Sequence, residues 1–270
     1  MDEPQLRHIM KERAGIQSVE VGFKLLQALA MADTALMLSD VAARSGMSAA
    51  KAHRYLVSFQ RLGLVTQDAA TTRYDLGPSA LQLGLSALTR LDPVKLARER
   101  LPALMHDIGH TVALAVWGNQ GPTIVHVQAS PQALPLLRLG DVMPLLSSAT
   151  GRCFAAYLPP ATTAPMIRQA LAQAQKMNQS ELPSTLAQVK AMLQEVRTHQ
   201  IARVQASLQP GVTCFCAPVF DADHRLVLGL VALGASVHFS DDYQGLPAQQ
   251  LRQAAHQLSA DLGHGLALLE

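Results

Sequence analysis

Lys51, His53 and Arg54 stand within four consecutive positions, in a stretch whose order of residue types suits contact with a nucleic-acid duplex. Long cationic side chains on a short helix reach backbone phosphates and guanine edges, so the chemistry on offer is recognition rather than bond making. The neighbouring residues build that helix. Ser39 can cap a first short helix in which Val41 and Ala42 face inward, and Gly46 permits a sharp turn. Ser48 then caps a second helix in which Ala52, Tyr55, Leu56, Phe59 and Leu62 recur at the spacing of a buried face. Leu64 to Asp68 and Thr72 to Gly77 follow as two short strands, joined by an Asp-Ala-Ala-Thr turn with Arg73 near its tip. Helix, turn, helix and hairpin make a winged helix.

Charge placement agrees. From Arg44 to Arg73 the cations Arg44, Lys51, Arg54, Arg61 and Arg73 face a single acid, Asp68. Residues 1–90 hold ten Lys and Arg against eight Asp and Glu, whereas residues 91–270 hold twelve of each, so the basic excess is local.

A second constellation is Ser147-Ser-Ala-Thr-Gly-Arg152, which reads as the start of a helix. Backbone N–H groups at such an end lack intrahelical partners and carry partial positive charge, so Gly151 and its neighbours can hold a carboxylate without a lysine. Ser147, Ser148 and Thr150 would add hydroxyl donors. The plainer alternative is that one hydroxyl caps the helix and the others face core or solvent. Cys214-x-Cys216 with Cys153 lacks the loop-borne Cys-x₂₋₄-Cys spacing of structural zinc, and three cysteines are too few and too odd a number for a disulfide framework. No Gly-x-Ser-x-Gly elbow, phosphate-cradling glycine loop or His-Glu-x-x-His occurs, so neither an enzyme nor a cofactor is expected.

The elements that must position these groups fall into two parts. Residues 1–17 form an N-terminal extension, polar over its first 13 residues and without an apolar signal core. Residues 18–77 form the winged-helix domain, 78–92 a linker helix opened by Pro78, and 93–270 a second domain. There a helix from Pro93 ends at Gly109, and strands are expected at 111–117, 122–128 and 134–139. Helices follow at 150–157, 165–174 and 182–199, then strands 212–220 and 226–233 about an Asp221-Ala-Asp-His turn, and a last helix at 247–269. The fold class is α+β, with an antiparallel sheet covered by helices in the second domain. No apolar run is long enough to span a bilayer, which with the missing signal core makes the cytoplasm the expected location.

The order Ser18 to Leu29, Leu38 to Leu64, Arg73-Tyr-Asp-Leu-Gly77 and Leu81-Gln-Leu-Gly84 resembles the IclR family of bacterial transcriptional regulators. So do Leu145 to Leu158 and Gly211-Val-Thr-Cys-Phe-Cys-Ala-Pro-Val-Phe-Asp221 in the second half. This chain departs from the family at the start of the recognition helix. Ser48, Ala49, Ala50 and Lys51 stand where the family usually carries a proline, a lysine or serine and a Ser-Thr pair, while His53 and Arg54 match.

The resemblance implies a homodimer, or a dimer of dimers, on a palindromic double-stranded DNA operator. Lys51, His53 and Arg54 would enter the major groove, and Ser48, Arg61 and Arg73 would hold phosphate or the minor groove. Phe23, Leu26, Leu81 and Leu85 are candidates for the dimer contact or for the core of one subunit. It also implies a GAF-like second domain that binds a small organic acid and modulates DNA binding. Its site would combine Ser147, Ser148, Thr150 and Gly151 with a wall from Cys214, Cys216, Val231, Trp117 and His126. That mostly apolar wall suits an aromatic or medium-sized acid. The competing reading is a ligand sensor that acts through protein contacts without an operator, because Ala49 and Ala50 thin the polar recognition surface.

Overall fold

The computed structural model describes residues 15–130, 136–176, 182–205 and 210–265. The chain forms two compact units that divide between Arg90 and Leu91.

The first unit runs α1 (Gln17–Ala30), α2 (Leu38–Arg44), α3 (Ala49–Arg61), β1 (Val65–Gln67), β2 (Tyr74–Leu76) and α4 (Pro78–Leu88). Its core gathers Leu25, Val41, Leu56, Val65 and Tyr74, all almost solvent-free. Burial of a side chain of this size stabilises by about 1.5–3 kcal/mol relative to exposure. α2 begins at Leu38, with Met37 in the cap position and no side-chain cap, two residues ahead of the expected Ser39 cap; the Ser39 hydroxyl meets Asp40 instead. Gly46 makes the turn with φ +67, a conformation in which a Cβ is strained. α3 buries Ala52 and Leu56 fully and Tyr55 and Phe59 in part, whereas Leu62 lies beyond its last turn and is exposed. Gly22 of α1 permits the approach, because a Cβ there would stand 3.0–3.2 Å from the Tyr55 and Phe59 rings. The hairpin pairs Val65 with Leu76 and Gln67 with Tyr74, and α4 opens with Pro78 in its first turn.

The second unit centres on a five-stranded antiparallel sheet in the order β4-β3-β7-β6-β5. Its strands are β3 (Thr111–Gly118), β4 (Gly121–Gln128), β5 (Ala202–Gln205), β6 (Val212–Phe220) and β7 (Leu226–Ala235). One face packs on α5 (Pro93–Ile108) and α9 (Leu246–Asp261) through Leu101, Phe215, Leu228 and Leu251. The other packs beneath α6 (Ala149–Tyr157), α7 (Pro160–Lys176) and α8 (Leu186–His199) through Phe154, Ile167 and Leu193. Local signals set the helix limits. Asp92 caps α5 by accepting from the Val94 and Lys95 amides, and Gly109 ends it in the left-handed region. Thr185 and Gln188 close a reciprocal capping box, so α8 starts four residues later than expected. α7 starts earlier, at Pro160, and takes Pro165 into its interior.

The expected third strand at 134–139 does not form among its described residues, 136–139. The chain instead turns at Gly140 and runs beside β4, with the Ile124 amide donating to the Asp141 carbonyl and the Met143 amide to that of Pro122. β5, four residues at the sheet edge, was not among the expected strands. The last helix ends at Asp261, and residues 266–269 of its expected span lie outside the described ones.

Candidate functional site

Within the first unit, Lys51, His53, Arg54 and Arg61 are all exposed on α3. Ser48, Lys51, Arg54, Tyr55 and Ser58 line one surface depression along the helix. Their spacing of three and four residues places them on one side. His53 stands two positions from Lys51, roughly 160° around a 3.6-residue helix, so it flanks the opposite side of Arg54. Arg61 follows Arg54 by two turns. α3 has no acid in its first turn, and the ion pairs among the described residues all lie in the second unit. Ser48 occupies the cap position of α3, but its hydroxyl makes no cap bond.

The wing tip is built by Asp68, whose Oδ1 accepts from the Ala70 and Thr71 amides and from the Thr71 hydroxyl. The Thr71 amide holds that carboxyl below its ordinary value. Arg73 is drawn back from the tip. Its guanidinium donates to the Ala35 carbonyl at 2.9 Å, tying the wing to the α1–α2 loop.

In the second unit the start of α6 takes the expected form and shares out its hydroxyls unequally. Ser148 caps the helix, its Oγ accepting from the Gly151 amide at 2.8 Å and donating to the Pro144 carbonyl at 2.7 Å. Gly151 is needed for packing, since a Cβ there would lie 2.1 Å from the Pro144 oxygen. Thr150 is wholly buried and its hydroxyl has no hydrogen-bond partner. Arg152 fastens the turn, its Nε donating to the Leu146 carbonyl and an Nη to that of Arg203 on β5. By helix geometry the amides of Ala149 and Thr150 remain without intrahelical partners.

Beside this end lies a cavity of about 160 Å³, with Ser147, Ser148 and Ala149 on one side. The opposite wall contains Val204, Cys214 and Leu233, which are direct cross-strand neighbours on β5, β6 and β7. Met143 and Leu137 close it.

Of the residues expected to surround a ligand, the structure thus brings together Ser147, Ser148 and Cys214. Cys216 and Val231 are buried in the core beneath α6, and Trp117 packs its ring 6.0 Å from that of Phe154. His126 is displaced to the other side of the sheet. It pairs with Leu114, which belongs to the α5 and α9 face, and burial together with Arg98 of α5 lowers its pKa. Val204 and Leu233 were not among the expected wall residues; the signal that finds them is strand register, which places them beside Cys214.

The three cysteines are free thiols, and burial pushes both Cys214 and Cys216 up, which suits packing rather than reactivity. Among the described residues no helix is long and apolar enough to cross a membrane.

Comparison with known proteins fits this arrangement. Residues 18–69 match the family model described as the IclR helix-turn-helix domain, and residues 85–260 match that of the bacterial transcriptional regulator IclR C-terminal domain. The glycerol operon regulatory protein of Streptomyces coelicolor is 31% identical over 257 residues, covering 93% of this chain and 98% of its own. The crystal structure of Pseudomonas aeruginosa HmgR matches with a TM-score of 0.85 at 36% identity, over 93% of this chain and 99% of that one. The Agobacterium tumefaciens repressor BlcR shares the fold, with a TM-score of 0.76 at 21% identity over 92% and 98% of the two chains. An exposed cationic helix in one unit, a capped helix end over a cavity in the other, and matches to both family models lead to one conclusion: the chain belongs to the IclR family of DNA-binding bacterial transcriptional regulators, which are not enzymes.

Proposed function

We infer that the protein binds a palindromic DNA operator as a homodimer or a dimer of dimers, and that a small organic acid in the second unit modulates this binding. The observation that carries the reading is the face of α3. Its apolar side is used up by the core, while Lys51, Arg54 and Arg61 remain exposed and free of ion pairs in the described structure. Lys51 and Arg54 enter the major groove, with His53 on the far flank of Arg54. The amides at the acid-free start of α3 and the side chains of Ser48 and Arg61 approach phosphate. Arg73, tied to the α1–α2 loop, holds the wing against the backbone. Phe23, Leu81 and Leu85 are 55%, 65% and 53% exposed, large apolar surface that a second subunit would cover. The domain limits 18–77, 78–92 and 93–270 serve this reading as DNA-binding part, linker helix and effector-binding part.

The acid sits at the start of α6, its carboxylate on the Ala149 and Thr150 amides and the Ser147 hydroxyl, and its body against Val204, Cys214 and Leu233. A cavity of about 160 Å³ falls short of the ~300 Å³ at which ordinary ligand pockets begin, which supports a compact acid such as a single ring or short chain. An effector that binds two arrangements unequally shifts DNA affinity by that difference, typically about 1–3 kcal/mol.

The test is a titration of the protein against the DNA upstream of its own coding region at two salt concentrations, repeated with a panel of aromatic and short aliphatic carboxylates. A specific shift, weaker at high salt and altered by one acid, is expected. No specific shift at either salt would replace this reading with a sensor that works through protein contacts.

A further inference from the structure

In the second unit a groove of about 750 Å³ lies between α7 and α8, away from the start of α6. That volume lies within the ~300–1,000 Å³ of ligand sites. The two helices face it with matching periodicity. α7 contributes Thr163, Ala164, Ile167 and Arg168, and α8 contributes Val189, Lys190, Leu193 and Arg197, each set at spacings of three and four residues. Stripes of this kind normally close on each other. Here they stand apart, and the C-terminal half of α6 supplies an apolar floor through Ala155.

The groove has one sign of charge. Arg168, Lys190 and Arg197 line it, no Asp or Glu does among the described residues, and none of the three is in an ion pair there. Arg197 is fixed, its Nε donating to the Ala156 carbonyl at 2.9 Å, so its charge stays beside the apolar floor. Apolar walls under three cations suit a ligand with a hydrocarbon body and an anionic head.

We propose that the α7–α8 groove is a second ligand site that binds a carboxylate amphiphile of medium chain length. The site is separate from the one at the start of α6, and its ligand touches the opposite half of that nine-residue helix. The body lies along Ala155, Ile167 and Leu193, and the carboxylate meets Arg168 and Lys190.

Calorimetric titration of the full-length protein with sodium octanoate, and separately with 1-octanol, tests this. Octanoate is expected to bind, at least tenfold more tightly than octanol. Binding should weaken at least tenfold in Arg168→Ala/Lys190→Ala, whose altered residues are both exposed, and should persist in Ser147→Leu, which fills the α6 cavity. Ala164→Trp, which fills the groove, should abolish it and stands in for the double variant if that protein fails to fold. The proposal is overturned if octanoate does not bind, if octanol binds equally well, or if the double variant binds as the parent does. Loss of binding in Ser147→Leu alone would assign octanoate to the α6 site. A halved mass in sedimentation of either groove variant would show that a second copy of the chain fills the groove.

Discussion

Thr150→Val is expected to stabilise the second unit, although valine replaces a residue at the proposed effector site. The side chain is fully buried, and its hydroxyl has no hydrogen-bond partner. A buried hydroxyl left unpaired costs about 1–3 kcal/mol, and valine keeps the shape while removing the group. Partial compensation by the polarisable sulfur of neighbouring Cys216 reduces the gain. An increase of about 1 kcal/mol follows, or roughly 2–4 °C in Tm for a unit of this size. Trp117 is the sole tryptophan and belongs to this unit, so its emission during thermal and urea unfolding reports the relevant transition apart from the first unit. Ser148→Ala supplies the contrast: it removes a cap whose oxygen both accepts from Gly151 and donates to Pro144, and should destabilise by about 1–3 kcal/mol. A Thr150→Val protein that melts below the parent would mean that the hydroxyl is bonded in solution, and the account of this helix end would fall.

The remaining expectations concern both units. Gly151→Ala sets a methyl 2.1 Å from the Pro144 oxygen, a backbone atom that cannot step aside, and should cost about 1–3 kcal/mol by the same fluorescence assay. Arg54→Ala should cost about 1–3 kcal/mol in operator affinity by anisotropy titration and relax specificity at one position of each half-site, whereas Arg73→Ala should weaken all sequences alike and lower the salt slope. Asp68 titrates below its ordinary value of 3.8, so its turn contributes above that pH and loses its contribution as pH falls through the depressed value; Asp68→Asn should flatten the acid limb of wing stability measured by amide exchange at Thr71.

The sequence was most legible where one residue type has one physical use. Gly109 ends α5 because only the left-handed region reverses the chain there, and Asp92 before Pro93 starts it. Val41, Ala52 and Leu56 announced the helix-turn-helix core by spacing. Legibility failed where competing caps or pairing partners decide. Nothing local to Leu182 says that Thr185 and Gln188 will start α8, and β5 owes its existence to an exposed edge of β6 rather than to any strong β-forming run.

His126 shows how a candidate site is lost between sequence and structure. β3 and β4 pair Trp117 with Pro122, Val116 with Thr123 and Ala115 with Ile124. A regular ladder continued from there would set His126 opposite Ala113, on the face that packs beneath α6. The register slips between Ala115 and Leu114 instead, so Val125 is the extra residue and His126 meets Leu114 on the α5 face. Alternation along a strand assigns faces only while the ladder is unbroken, because one inserted residue reverses every assignment beyond it. The same bulge returns Val127 to the α6 face opposite Ala113, where an unbroken alternation from Ile124 would have turned it away. Deleting Val125 should therefore close the ladder without the bulge and leave His126 opposite Leu114, on the α5 face, with Val127 still opposite Ala113. Burial on that face and Arg98 of α5 lower its pKa, and this lowering should survive the deletion; a histidine-resolved NMR titration in which His126 returned to an ordinary imidazole value would show that it had crossed the sheet and would refute the register argument.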